Sequence, residues 1–394
     1  MIYTKTNAYN NHFARAFYKP LTSATFEKES VYWYDQHDWA IRNIPFNSFI
    51  DEPHWNHLRT DPTSKIFIFY GDEYYNLIDL EDWVETLKKQ RINPRQVYIM
   101  CVDQNWVEWT IETFSRLGIN GINVQDYNVL MNRVVPRESK QIDKRFSILS
   151  RNYNKWRLRL YSELVNSEVL PEHFNYTFNN INPYGKKIIY PLDLLKTHVK
   201  EMRVPLTDTL DAWIDGIPYT TKNDDVNEKL AAEVYDMILT AGINVVVESH
   251  FDPFWNFLGH SHQDPTVFSP AFPTEKLYKP IGCKTPFIAF STPWFLKDLK
   301  KLGYKTFHPY IDESYDEIKE NMPRLRAIVA EINRISNMSS DEFQILLENC
   351  KPIVEHNLNV MLSLKDKVSL TPSFKWVDPY LEKNLPTPGR GGEL

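Results

Sequence analysis

Short apolar runs alternate with longer amphipathic stretches along most of this chain, and that alternation leaves few folds open to it. Residues 65–70 and 96–102, and about 122–125, read as buried strands. Helical periodicity fills about 80–90 and about 105–117 between them. The pattern resumes after a basic stretch, with a strand at about 146–149, helices at about 155–165 and 226–240, and the β-branched run 243–247. A short helix opened by Thr274, a strand over 286–290, a helix at about 293–302 and two long amphipathic helices, about 314–336 and 340–364, complete it. Strand–helix–strand alternation is the signature of βαβ units on parallel sheets. Residues 170–223 carry many Pro, Asn and Gly and allow only short strands such as 187–190. In the first sixty residues Tyr32, Trp33, Tyr34, Trp39 and Trp55 read as core anchors rather than as a platform for stacked bases.

At 394 residues the chain exceeds what one hydrophobic core serves well, and its 42% hydrophobic and 14% aromatic content supplies two. Two α/β halves meeting near 130–145 predict an α/β protein of two Rossmann-like, doubly wound domains facing across a cleft. The divisions fall at 1–140 and 141–370, with an extended tail over 371–394. The amino terminus lacks an apolar signal-like run and no segment approaches membrane-spanning length, so the expectation is a soluble, cytoplasmic protein without a membrane partner. Cys101, Cys283 and Cys350 are odd in number and far apart, which suits a reducing compartment and buried thiols.

Net charge is −6, unevenly spread. Residues 133–159 hold nine basic side chains (Arg133, Arg137, Lys140, Lys144, Arg145, Arg151, Lys155, Arg157 and Arg159) against Glu138 and Asp143, a net +7 that leaves −13 elsewhere. Such a stretch is either an anion-binding surface or a solvated connector.

The densest local chemistry lies at 273–280. Thr274 is placed to cap a helix whose first turn carries Glu275 and Lys276, and Lys279 follows one turn on, on the face of Glu275. A helix amino terminus attracts phosphate through unpaired amides and the helix dipole, and the lysines deepen that attraction. A carboxylate there needs another partner, and paired sugar hydroxyls accept that role. The plainer alternative is ordinary capping with an i,i+4 ion pair. Asp72, Asp103, Arg151 and Glu248 each fall just past a predicted strand, where open parallel sheets bind their ligands.

The run Phe146–Arg151, Arg157 at the next helix, the strand ending at Glu248, and Thr274-Glu275-Lys276 with Lys279-Pro280 resemble a glycosyltransferase-like domain of phage and giant-virus proteins, distantly similar to the GT-B alpha-fucosyltransferase family. The resemblance spans about 145–310. Ser150, Asn152 and Trp156 depart from it, replacing an Asn, an Arg and a His of the family pattern. It implies a GT-B enzyme with a nucleotide-sugar donor in the second domain and an acceptor in the first. Glu275 would take ribose hydroxyls, while Lys276 or Lys279, with Arg151 and Arg157, would neutralise the diphosphate; Glu248 matches as a further donor-site residue. No permanently bound cofactor and no metal is expected, and a UDP-sugar is favoured over a GDP-sugar. Asp72 and Asp103 are the candidate catalytic bases. The viral setting and the +7 stretch suggest double-stranded DNA as partner, with a 5-hydroxymethylated pyrimidine such as hydroxymethylcytosine as acceptor, in a host cytoplasm. A glycan or small-molecule acceptor, and a module that kept the fold without catalysis, are the rival readings. The loop carrying His250, Asp252, His260 and His262 matches no common metal spacing, and its alternative role is a lid. A dinucleotide oxidoreductase is disfavoured, because no Gly-x-Gly-x-x-Gly follows any strand.

Overall fold

The computed structural model describes residues 2–3, 31–35, 52–70, 77–101, 104–126, 134–138, 140–150, 155–167, 169, 173–178, 228–248, 251 and 273–370. The chain divides into two compact units, the first centred on Met1–Val129 and the second on Leu130–Pro253 and Pro273–Ser363. Each is built on a parallel sheet flanked by helices, the α/β class that the alternation predicts. The predicted strand at 187–190 and the tail from 371 lie outside the described residues.

In the first unit β1 (Ile2–Tyr3), β2 (Val31–Asp35), β3 (Lys65–Tyr70), β4 (Val97–Cys101) and β5 (Asn123–Asp126) are parallel and lie side by side in chain order. Helices α1 (Glu52–Thr60), α2 (Leu77–Lys89) and α3 (Gln104–Arg116) connect them. Their apolar stripes close one core around Trp55, Leu58, Ile66, Ile68, Trp83, Ile99 and Phe114. Trp55 is fully buried, as its reading as a core anchor requires. Gln96, also buried, ties the turn before β3 to β4. Its amide nitrogen donates to the carbonyls of Leu58, Asp61 and Ser64 at 2.9–3.0 Å.

In the second unit the order is β7 (Phe174–Phe178), β6 (Lys144–Ser150), β8 (Ala241–Val247), β9 (Phe287–Phe290), all parallel. The chain runs outward from β6 to β7 and then crosses back to β8, so the strand order reverses between β6 and β8. Every residue of β8 is buried, and since successive side chains point to opposite faces, both faces are covered. Helices α4 (Lys155–Asn166), α5 (Glu228–Leu239), α6 (Glu275–Gly282), α7 (Phe295–Lys301), α8 (Asn321–Ser336) and α9 (Ser340–Leu370) supply the cover. Tyr235, Ile238 and Leu239 of α5 pack with Cys283 and Leu149, while α8 packs on α4 and β9. The open edge of β9 is closed by a side chain, the Ala289 amide donating to the buried Tyr315 hydroxyl at 3.1 Å. Next to it, Asp316 accepts the Leu296 and Lys297 amides (2.9 and 3.1 Å) and so caps α7 from outside the helix. Burial pushes that carboxyl up to about 6, against the two amides.

One predicted element is corrected. The helix expected over 314–336 is a short 3-10 turn (Ser314–Glu317) followed by a separate α8 starting at Asn321. Pro323 is the reason. It has no N–H to give and its ring would strike the carbonyl four residues back, so it favours the first turn of a helix, where it stands in α8, over the interior of a longer one.

Part of the basic stretch serves the fold. The Arg137 amide donates to Gly282 (2.9 Å) while its guanidinium covers the Tyr235 ring at 4.1 Å, and Lys140 pairs with Asp236. Arg145 reaches across to the end of α8, donating to the carbonyls of Ile335 (2.9 Å) and Met338 (2.6 Å) beside the Phe343 ring. Phe343 in turn lies over β8 at Gly242. A Cβ there would stand 2.6 Å from Phe343 Cζ and 3.2 Å from Leu347 Cδ1. Gly242→Ala is therefore expected to destabilise the second unit by about 1–3 kcal/mol, read from the midpoint of denaturant unfolding. An unchanged midpoint would mean that α9 lifts without cost.

No helix among the described residues is long and apolar enough to cross a membrane.

Candidate functional site

Strand order places one location apart from the rest of the second sheet. The β6/β8 reversal is the kind of position at which open α/β sheets bind their ligands, beyond the carboxyl ends of the strands. Glu248 is the first residue past β8, and its amide continues the ladder by donating to Phe290 (3.0 Å). Its side chain is only 3% exposed and meets the start of α6. One carboxylate oxygen accepts the Thr274 amide at 3.0 Å and the other accepts the Thr274 hydroxyl at 2.7 Å. Thr274, the cap of α6, is extended and 1% exposed. Its hydroxyl accepts from the Lys276 amide and from Lys276 Nζ, both at 3.2 Å. Lys276 Nζ lies 3.9 Å from Glu248 Oε2 and 3.8 Å from Glu275 Oε1, with a fifth of its side chain in solvent.

This geometry corrects one expectation. Two amides at the α6 terminus are already taken: Glu248 accepts from the Thr274 amide and Thr274 Oγ from the Lys276 amide. A buried carboxylate already sits at the positive end of the helix dipole. Burial is also the leading cause that pushes Glu248 up to about 7, with Lys276 and the Thr274 bonds pulling the other way and Glu275 adding to the rise. Beside these bonds the Lys276 ammonium is partly exposed.

Arg157 is brought to the same point from α4. It is buried, and its Nη2 donates to the Glu248 carbonyl at 3.2 Å, so it holds the strand end in place. Lys279 lies in the last turn of α6, where its charge and that of Arg137 act on the Cys283 thiol. Thus Arg157, Glu248, Glu275 and Lys276 are gathered by the fold, and Lys279 belongs to the other end of the helix. Arg151, Asp72 and Asp103 lie outside the described residues, as do His250, Asp252, His260 and His262. At the same end of the sheet Ser150 closes β6, buried, its hydroxyl without a hydrogen-bond partner among the described residues. The described residues contain no group of three or more His, Cys, Asp or Glu placed to hold a metal ion. Cys283 and Cys350 are not nucleophiles at neutral pH, since burial pushes both thiols up to about 12.

Two supporting residues are absent from the sequence reading. Phe251, three residues past Glu248, stacks on Phe290 with ring centroids 4.0 Å apart and meets Trp156 at 5.2 Å. Arg324 of α8 lies over the Phe251 ring at 4.1 Å and donates to its carbonyl. A sequence signal for Arg324 exists: it lies on the stripe of α8 that buries Leu325, Ile328 and Ile332, where an arginine needs a dedicated set of acceptors.

No family model matches the sequence, and no curated protein matches it either. Solved structures of low similarity do. The pneumococcal O-GlcNAc transferase GtfA, solved with UDP and GlcNAc, superposes with a TM-score of 0.43 at 12% identity, over 90% of this chain and 59% of its own. The alpha,alpha-trehalose 6-phosphate synthase of Burkholderia multivorans gives 0.43 at 10% identity, over 90% and 76%. A glycosyltransferase of Rickettsia africae gives 0.39 at 10%, over 96% and 83%. The chain thus spans about three fifths of the length of the pneumococcal protein. At these values the likenesses assign neither substrate nor residue roles.

Proposed function

We propose that this protein is a glycosyltransferase, its second unit holding a nucleotide-diphosphate sugar at the carboxyl end of β8 and its first unit presenting the acceptor hydroxyl. The observation that carries this reading is the placement of Lys276 Nζ, partly exposed and held by Thr274 and two carboxylates at the sheet's switch point. The motif resemblance supplies the reaction class. Loss of a nucleotide diphosphate builds negative charge on the leaving oxygen, and a fixed cation lowers that barrier by stabilising the transition state more than the ground state. In this reading Lys276 meets the diphosphate, helped by Arg151 from the loop after β6, and Glu275 takes the ribose hydroxyls. Arg157 sets the floor by fixing Glu248. Asp72 and Asp103 each follow by two residues the end of one of two neighbouring strands, β3 and β4, and are the proposed bases for the acceptor proton. Uridine diphosphate sugars are the first donors to test and guanosine diphosphate sugars the second.

A 5-hydroxymethylated pyrimidine in DNA is the narrower acceptor. Its support is the +7 stretch, and Arg137, Lys140, Arg145 and Arg157 within it are engaged by the unit's own fold, which weakens that support. Buried thiols at Cys101, Cys283 and Cys350 suit a cytoplasmic setting.

The test is a panel of nucleotide sugars incubated with the protein, with and without hydroxymethylated DNA. Release of nucleotide diphosphate from one donor is expected, with a matching mass increase on the acceptor used. Absence of release from every donor, with nucleotide binding intact, would favour a non-catalytic module. Release with glycan but not DNA acceptors would retire the DNA reading alone.

A further inference from the structure

This inference rests on the donor reading and concerns how the site manages charge. Glu248 is the carboxylate of the cluster to which the donor reading gives no ligand contact. The charged groups around it come from three helices. From α6 come Lys276, with Nζ 3.9 Å from Oε2, and Glu275, which shares that ammonium at 3.8 Å. From α4 comes Arg157, whose Nη2 is directed to the Glu248 backbone carbonyl. From α8 comes Arg324, bound to the carbonyl of Phe251. The neighbouring strand end on β9, Phe290 and Ser291, contributes no charge. Lys276 thus holds an ammonium 3.9 Å from the carboxylate, and it is also the cation that a diphosphate would claim.

We propose that Glu248 takes up one proton when a nucleotide diphosphate binds, so that the site exchanges its own buried anion for the ligand's. Binding draws Lys276 Nζ toward the phosphates and brings further negative charge to a helix terminus that a carboxylate already fills. An uncompensated carboxylate at this burial is costly, and the neutral acid is the accessible alternative. Burial has already carried Glu248 up to about 7, so a small further push protonates it near neutral pH.

The hydrogen bonds allow the exchange without unmaking the cap. A threonine hydroxyl has one hydrogen and two lone pairs. With Glu248 ionised, Thr274 Oγ gives its hydrogen to Oε2 and accepts from the Lys276 amide and Nζ. When Nζ leaves for phosphate, one lone pair is vacated. A proton on Glu248 Oε2 then donates into it, and the Thr274 hydroxyl turns its own hydrogen elsewhere. The bonds from the Thr274 amide to Oε1 and from the Lys276 amide to Oγ persist in both states. The balance is one proton from solvent to Oε2, with no covalent change in the ligand.

Calorimetric titration of the full chain with uridine diphosphate, then guanosine diphosphate, tests this at about pH 7.5 in two buffers of different ionisation enthalpy. The difference in apparent heat counts protons. Net uptake of a substantial fraction of a proton is expected, with Kd weakening by up to about tenfold per pH unit between about pH 7 and 8.5. Glu248→Gln keeps the acceptor for the Thr274 amide and is expected to show no uptake beyond that of the ligand itself. Wild-type binding without uptake, or the same uptake in Glu248→Gln, would overturn the inference while leaving the donor site standing. Failure of both nucleotides to bind would remove the donor site and this inference together. Should Glu248→Gln not fold, carbon-13 spectra of the wild-type glutamate carboxyls decide. One resonance should move to its protonated position on nucleotide addition, and none moving would overturn the inference.

Discussion

Arg324→Ala is expected to lower the unfolding free energy of the second unit by about 3–5 kcal/mol, the largest single-site effect the structure implies. Arg324 is 1% exposed. Its Nη1 donates to the carbonyls of Ile318 (2.8 Å) and Lys319 (3.0 Å), and its Nη2 to Asn321 Oδ1 (2.9 Å) and the Phe251 carbonyl. Three carbonyls would lose a donor at once, that of Phe251 buried and those of Ile318 and Lys319 partly buried, and the buried one alone is worth about 1–3 kcal/mol when stranded. Its guanidinium also covers one face of Phe251, so truncation opens a cavity beside the Phe251–Phe290 stack. Arg324→Lys should recover little, because an ammonium cannot reproduce the planar fork that spans these acceptors. Denaturant unfolding followed by tryptophan fluorescence gives the answer. A loss below about 1 kcal/mol would mean that water replaces the guanidinium at all three carbonyls.

Lys276→Ala is expected to weaken nucleotide-diphosphate affinity by about 10–100-fold, equivalent to the roughly 1.5–3 kcal/mol of a hydrogen bond to a charged group. Glu275→Ala should act differently. It removes the proposed ribose contact and also one of the carboxylates that share Lys276 Nζ, so the loss for a nucleotide should exceed the loss for inorganic pyrophosphate. Lys279→Ala serves as the contrast, since that side chain lies in the last turn of α6, and a change of less than about threefold is expected. Equal losses for Lys276→Ala and Lys279→Ala would mean that general surface charge, rather than the held ammonium, attracts the ligand.

What the sequence discloses about this fold follows from how local each signal is. The strands β3, β4 and β8 are predominantly apolar runs in parallel sheets, so hydrophobicity alone finds them. The strand β7 lies at one edge of the second sheet among the described residues and is short, and it falls in the Pro-, Asn- and Gly-rich region that hides its alternation. For β2, a cluster of aromatics suggests burial without revealing a strand, because pairing with β1 and β3 is a long-range event. The overlong helix at 314–336 shows the reverse error: periodicity was continuous across Pro323, and only the backbone cost of proline separates the two elements.

The site divides along the same line. Strand-end position singles out Glu248, and capping chemistry singles out Thr274, Glu275 and Lys276, all from short windows. That Glu248 fills the amide terminus of α6 requires β8 and α6 to be neighbours, a tertiary fact no window contains. In consequence, two amides of the helix terminus that looks like a phosphate trap are already bonded within the protein. Trp156 is absorbed by packing, its ring joining the Phe251 cluster.

The central claim is that a nucleotide diphosphate sits against Lys276 and Glu275 beyond the carboxyl end of β8. A crystal of the full chain grown with uridine or guanosine diphosphate tests it most directly. Phosphate density is expected within hydrogen-bonding distance of Lys276 Nζ, with ribose hydroxyls on the Glu275 carboxylate. Nucleotide density at any other place on the protein, with Lys276 still joined to Thr274 and Glu248, would contradict it.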